Sequence, residues 1–293
     1  MTMNGAYFNN LDQKGLKTAL AQIPGSKTTD YILFSLNVAS GTSADINFGL
    51  TGPVLASDSA ATQATTDLLV KVVAEGVSSG ACKRVWLSLG GWGSDAFSNI
   101  EAILTADGSQ NGDLATVLMA NFSAIFNQIT AIDGVESVGF DLDYEQQSGN
   151  LTALVTMTAV TLYTQFQCPL TFCPYQADGP WIAALQAVYA ALGVQPVAGI
   201  NLQTYAGGRY NDPSAWTTDL TNAADTGVAD PASFIWPIVS CDTTALPDST
   251  PSQTATALQG WKSAGGSLWA TANLPYHGHT LTDYGKAIAG AVA

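Results

Sequence analysis

Eight short runs of β-branched, aromatic and other apolar residues, with stretches of helical periodicity between most of them and no break in composition, predict a single α/β domain. The alternation and the count of eight point to a (β/α)8 TIM barrel. Such barrels commonly run to about 250 residues as one domain, and this chain has 293. A doubly wound open sheet would share the alternation and is the structural alternative.

In chain order, the first strand is expected at residues 5–9, where Tyr7 and Phe8 follow a glycine, and the first helix at Gln13–Gln22, with apolar residues three and four apart. The second strand, 31–38, is almost wholly apolar, and a helix follows at 60–77. The third strand is Arg84–Gly90, followed by a helix at 114–132. The fourth is 137–145, with a helix at 153–167, and the fifth is 170–175, with a helix at 181–192. The sixth strand is 197–205, the seventh 233–240 with a helix at 253–264, and the eighth 267–271 with a closing helix at 283–292. Residues 43–64 and 206–232 read largely as long polar loops. The short span between the seventh and eighth strands leaves no room for a small α+β insertion, so any groove is expected to be shallow and open.

Apolar residues make up 47% of the chain and charged residues 11%, enough hydrophobic material for a sizeable core. The net charge is -14, from 23 acidic and nine basic residues, with no cluster of Lys or Arg to neutralise phosphates; no nucleic-acid partner is expected. No apolar run approaches the roughly 20 residues that span a bilayer, so no membrane partner is expected either. The N-terminus has no basic and apolar leader pattern, so the protein is expected either to be made without a signal and stay intracellular or to have had its signal removed; the Lys-poor, Ser/Thr/Asn-rich composition suits the second, a secreted protein. A monomer is expected. Cys82, Cys168, Cys173 and Cys241 lack metal-site spacing and serve either as small buried hydrophobes or in disulfides. His277 and His279, two apart with no nearby Cys, read as surface residues; no metal or cofactor is implied.

The chemistry concentrates at the fourth strand, Phe140-Asp141-Leu142-Asp143-Tyr144-Glu145. Alternation with period two turns Asp141, Asp143 and Glu145 to one side, toward the barrel axis. Three inward carboxylates repel one another unless at least one holds a proton, which is how a site obtains a general acid near neutral pH.

This segment resembles the DxxDxDxE signature of glycoside hydrolase family 18, the chitinases and endo-β-N-acetylglucosaminidases. Ser88-Leu89-Gly90-Gly91 followed by Trp92 is similar to that family's SxGG motif on the third strand, Gln203-Thr204-Tyr205 to its sixth-strand pattern, and Trp269 after Gly265-Gly266 to its eighth. Tyr7 on the first strand is a further point of likeness. Two positions depart: Val138 stands where the family has the first Asp, which is expected to shift the buried electrostatics, and Ala206 stands where an Asp often follows the sixth-strand Tyr.

The resemblance implies a retaining, substrate-assisted hydrolase in which the sugar's own 2-acetamido oxygen is the nucleophile. Glu145 would protonate the glycosidic oxygen and later activate water. Asp143 would orient the acetamido N–H, and Asp141 would share a proton with Asp143, supported by Ser88 and Tyr7. Tyr205 and Gln203 would contact the sugar, with Trp269 as its apolar floor. Trp92, Tyr175 and Trp236 lie near predicted strand ends and either stack on sugar faces or pack in the core. The implied partner is chitin or an N-acetylglucosamine-containing oligosaccharide, and the open groove suits endo cleavage. Endo-β-N-acetylglucosaminidase action on N-glycans and a lectin-like relative that binds without cutting remain open beside the chitinase reading.

Overall fold

Every predicted strand forms, and together they close on themselves. In the computed structural model, residues 2–40, 43–105, 112–146, 149–176, 178–205, 208, 211–241 and 249–292 are described; Ala206 lies outside them. The barrel strands are β1 (Met3–Phe8), β2 (Asp30–Val38), β3 (Arg84–Gly90), β4 (Ser137–Asp143), β5 (Leu170–Phe172), β6 (Val197–Gln203), β7 (Ile235–Ser240) and β8 (Gly265–Trp269). All pair in parallel, and β1 closes the ring by pairing with both β2 and β8. Nearly every strand residue is buried, as expected where helices cover the outer face and side chains fill the inner one.

Nine helices surround the strands among the described residues: α1 (Gln13–Gln22), α2 (Lys71–Ser78), α3 (Ala96–Thr105), α4 (Gly112–Thr130), α5 (Leu151–Phe166), α6 (Asp178–Leu192), α7 (Pro213–Asn222), α8 (Pro251–Trp261) and α9 (Leu281–Ala291). Their apolar stripes meet the outward residues of the strands. Phe140 of β4, for example, packs against Phe122 and Phe126 of α4 and Phe166 of α5, with ring centroids 5.2–5.9 Å apart. Val138 belongs to this same helix-facing core. It has the opposite strand parity to Asp141, so a valine there takes nothing from the inward row of acids, contrary to the expected electrostatic shift.

The lower end of the barrel is plugged. Trp86 and Trp236 point inward, each lying over a glycine of a nearby strand: a Cβ on Gly139 would come within 2.8 Å of the Trp86 ring, and one on Gly199 within 2.4 Å of the Trp236 ring. Beneath them the fully buried Asp30 accepts from the Arg84 guanidinium (2.6 Å to Nη2) and from Trp86 Nε1 (3.2 Å). Trp236 is 0% exposed, and its indole N–H is spent on the Ser233 carbonyl at 3.0 Å. It sits at the start of β7, where a barrel strand enters the core, and this rules out the sugar-stacking alternative.

Three regions differ from the sequence reading. Within 43–64, short strands at Ile46–Phe48, Val54–Ser57 and Ala60–Ala61 extend the sheet antiparallel from the upper end of β2. Buried Asn121 of α4 pins them, donating to Ala44 O and accepting from Ser59 N, both at 2.8 Å. The helix expected at 60–77 therefore starts late, with a π-helical stretch at Thr65–Val70 before α2. Helix α3 was not expected, and α7 replaces part of the 206–232 loop; Asp212 caps α7 at Ser214 N (2.9 Å) and Pro213 occupies its first turn.

Candidate active site

With the lower end filled by tryptophans, the inward polar residues gather at the C-terminal ends of the strands. β3 and β4 set the first pair, because their register places Ser88 beside Asp141 and Gly90 beside Asp143. The approach is close: Gly90 has φ +102°, a Cβ there would fall 2.3 Å from the Asp143 carbonyl oxygen, and Gly91 N–H donates to that oxygen at 2.8 Å. This is the local reason for two glycines after Ser88.

Asp141 is fully buried and accepts four hydrogen bonds. Ser88 Oγ (2.8 Å) and the Tyr7 hydroxyl (3.2 Å) reach Oδ2, while Thr171 Oγ1 (2.6 Å) and Asn201 Nδ2 (2.9 Å) reach Oδ1. Burial pushes its carboxyl above the usual range, and the four donors pull it back.

One layer higher, Asp143 is 2% exposed and Glu145 half-buried just past the strand end. Gln203 Nε2 bridges them, 3.2 Å from Asp143 Oδ1 and 3.1 Å from Glu145 Oε1. The two acids also hydrogen-bond each other. Burial raises both, and the charges of Glu145 and Asp141 raise Asp143 further, so the pair retains a proton above the ordinary carboxylate range.

Above the acids lies an open cavity of about 550 Å³, lined by Glu145, Gln203, Tyr205, Trp269, Tyr175 and Trp92 with Asn10, Phe34, Ser35, Gly49, Leu50 and Gly90. Trp269, the last residue of β8, forms one side. Its ring stacks with Tyr205 (centroids 5.9 Å, 17° between planes) and meets Phe34 edge-on at 4.8 Å and Tyr7 at 5.4 Å. Trp92 is 65% exposed with its ring 6.4 Å from that of Tyr175, so both present faces to the cavity rather than to the core. A larger hollow on α4, about 660 Å³, is lined by residues such as Ala115, Met119 and Ala120 and by no titratable side chain.

The structure thus brings together Asp141, Asp143, Glu145, Tyr205, Gln203, Ser88, Tyr7, Trp269, Trp92 and Tyr175, and leaves out Trp236. It adds Thr171 and Asn201, which hold Asp141, and Cys173, Phe34 and Leu50 around the site. A signal for three of these was present: Thr171 and Cys173, and Asn201 two residues before Gln203, are period-two polar or sulfur-bearing positions in apolar strands. The four cysteines are buried and form no disulfide with one another.

No protein-family model and no curated protein matches the sequence. Among solved structures, a GH18 chitinase from Pseudoalteromonas aurantia superposes with a TM-score of 0.61 at 18% identity, covering 99% of this chain and all of the other. A chitinase-like agglutinin from Robinia pseudoacacia gives 0.61 at 11% identity over 99% of this chain and all of its own. Active domain 2 of a thermostable chitinase from Pyrococcus furiosus, in a catalytic-site mutant complexed with chito-oligosaccharides, gives 0.57 at 9% identity over 98% of this chain and 93% of its own. These likenesses establish that the chain has the single-domain closed barrel fold of those proteins.

Proposed function

We propose that this protein is a retaining, endo-acting chitinase that cleaves β-1,4-linked N-acetylglucosamine by substrate-assisted catalysis. The observation that carries the reading is that, among the described residues, Glu145 is the single acid lining the cavity, hydrogen-bonded to a more deeply buried Asp143 that shares its proton. Two-carboxylate glycosidases need acids on both sides of the scissile bond, whereas substrate assistance needs only one donor and a group to orient the acetamide.

The residues then divide the work. With the pair's proton on Glu145, that carboxyl protonates the departing glycosidic oxygen while anionic Asp143 accepts the acetamido N–H and directs its carbonyl oxygen at the anomeric carbon. The C–O bond to the leaving sugar breaks as the oxazolinium ring closes. Glu145, now an anion, takes a proton from water as that water opens the ring with overall retention. Asp141, fixed by four donors, holds the polar layer on which Asp143 rests. Trp269 and Tyr205 supply apolar surface and a hydroxyl at the sugar, and Trp92 with Tyr175 offers stacking faces further along the groove.

The test is hydrolysis of a chitotriose reporter by wild type and Glu145→Gln. Turnover by wild type and loss of about 100-fold or more in the variant is expected for removal of the general acid. Parallel digestion of colloidal chitin and a high-mannose glycoprotein separates chitinase from endo-β-N-acetylglucosaminidase action. A wild type that binds the oligosaccharide without cutting it would make the protein a lectin.

A further inference from the structure

The acid that lines the cavity stands beyond the end of the ladder that positions the rest of its row. Strand β4 ends at Asp143, where Gly91 N–H donates to Asp143 O at 2.8 Å; on its other side Cys173 N–H meets Leu142 O at 2.9 Å. Glu145 lies two residues further on, and from β6 Gln203 Nε2 holds its carboxylate at 3.1 Å. Its two chain neighbours both reach the first turn of α3. Tyr144, 5% exposed, packs edge-on against Phe97 of that helix with ring centroids 5.2 Å apart. Gln146 is joined to the same turn by hydrogen bonds.

Gln146 Oε1 accepts from Phe97 N (3.0 Å) and Ser98 N (3.2 Å), and Nε2 donates to Ser98 Oγ at 2.7 Å. Two backbone donors on one side and a hydroxyl on the other fix which way round the amide lies. Phe97 and Ser98 are the second and third residues of α3, whose first N–H groups have no carbonyl within the helix to meet. A side chain just before a helix commonly supplies the missing acceptor. Here Ser94 Oγ serves only Ala96 N, at 3.1 Å, and Gln146, 48 residues beyond Ser98, serves the next two. The turn it grips is itself well fixed. Phe97 is fully buried, 2.8 Å from where a Cβ on Gly90 would stand, and Asn99 Nδ2 donates to Val38 O of β2 at 2.9 Å.

We propose that Gln146 is a positioning residue: by tying the chain next to Glu145 to the N-terminal turn of α3, it fixes where the Glu145 carboxyl stands relative to Asp143 and Gln203. Glu145 is then held from two directions, by Gln203 from within the barrel and by α3, through Tyr144 and Gln146, from outside it. The significance for turnover rests on the hydrolase reading above, but the restraint on Glu145 does not. Gln146 does not line the cavity and acts only through Glu145. Misplacing a reacting group by about 1 Å can cost about 100-fold in rate. Losing the anchor therefore bears on the chemical step, while Trp269, Trp92 and Tyr175 keep their surfaces for the sugar.

Two variants test this. Gln146→Met keeps the length and bulk of the side chain and removes its three hydrogen bonds. Gln146→Glu restores them, because a carboxylate accepts from both N–H groups and from the Ser98 hydroxyl. Backbone amide relaxation, measured by NMR without substrate, reads the restraint itself. The Glu145 amide should be as rigid as the strand in wild type, with an order parameter of about 0.85, should fall toward about 0.6 in Gln146→Met, and should recover in Gln146→Glu. In chitotriose hydrolysis, Gln146→Met should lower kcat about 10-fold with KM within about twofold of wild type, and Gln146→Glu should recover most of kcat. A plain helix cap predicts otherwise: Phe97 and Ser98 lose hydrogen-exchange protection and Tm falls in Gln146→Met, while the Glu145 order parameter and kcat keep their wild-type values. That outcome refutes the positioning role. A Glu145 order parameter that Gln146→Glu does not restore also overturns it, since the bonds would not be what holds the acid. An inert wild type would defeat the hydrolase reading and leave the relaxation result to decide the anchor.

Discussion

Replacing Asp141 with alanine tests whether the lower polar layer is the support on which the upper one stands. The carboxylate accepts from Tyr7, Ser88, Thr171 and Asn201 at 2.6–3.2 Å. Asp141→Ala leaves four buried donors without it. Two have other acceptors at hand, since Asn201 Nδ2 is 3.3 Å from Thr171 Oγ1 and the Tyr7 hydroxyl is 3.4 Å from Cys173 Sγ. Ser88 and Thr171 are left to lose about 1–3 kcal/mol each. Relief of the buried charge offsets part of this, leaving a net destabilisation of about 2 to 4 kcal/mol. Equilibrium urea unfolding measures it as a lower midpoint at unchanged m-value. Ser88→Ala, which removes one donor and leaves three, should cost about 1 kcal/mol. A stable Asp141→Ala, within about 1 kcal/mol of wild type, would show that the four contacts do not act as a charge-stabilising cage.

Asp143→Asn should stabilise the protein at neutral pH. The folded pair holds a proton that the unfolded chain, with ordinary carboxyl groups, releases; stability is therefore full at acid pH and falls as pH rises above the unfolded pKa values of about 4. The amide mimics the protonated acid and escapes that loss, so melting curves of variant and wild type should coincide near pH 3.5 and separate in favour of the variant at pH 7. A variant that is the less stable at pH 7 would contradict the raised pKa of the pair. Trp269→Ala removes the apolar surface at one side of the cavity and should weaken chito-oligosaccharide binding about 10- to 100-fold, measured by calorimetry in the Glu145→Gln background; unchanged affinity would move the sugar elsewhere.

Much of the barrel was legible because its strands are buried on both faces and write themselves as apolar runs, with Arg84–Gly90 recovered at its observed bounds. The inward row Asp141, Asp143 and Glu145 was legible for the complementary reason, that acids in such a run have no structural excuse. The antiparallel strands within 43–64 were not, because each is only two to four residues long and is held by a tertiary partner, Asn121, far along the chain. Helix α7 carried a readable start in Asp212-Pro213, but its weak amphipathic pattern gave no length. Trp236 shows the limit of proximity to a strand end as a criterion. Only the C-terminal end of a barrel strand opens on the cavity, and Trp236 stands at the other. The parity of Val138 could have been counted from the sequence, since it lies three residues before Asp141 and so on the opposite face of the strand.

The most direct test of substrate-assisted cleavage at Glu145 is a proton NMR time course of wild-type protein with chitotetraose, read at the anomeric signals before mutarotation. Net retention predicts that the new reducing ends appear first as the β-anomer, with no such signal from Glu145→Gln. Appearance of the α-anomer first, or cleavage undiminished in Glu145→Gln, would contradict the assignment.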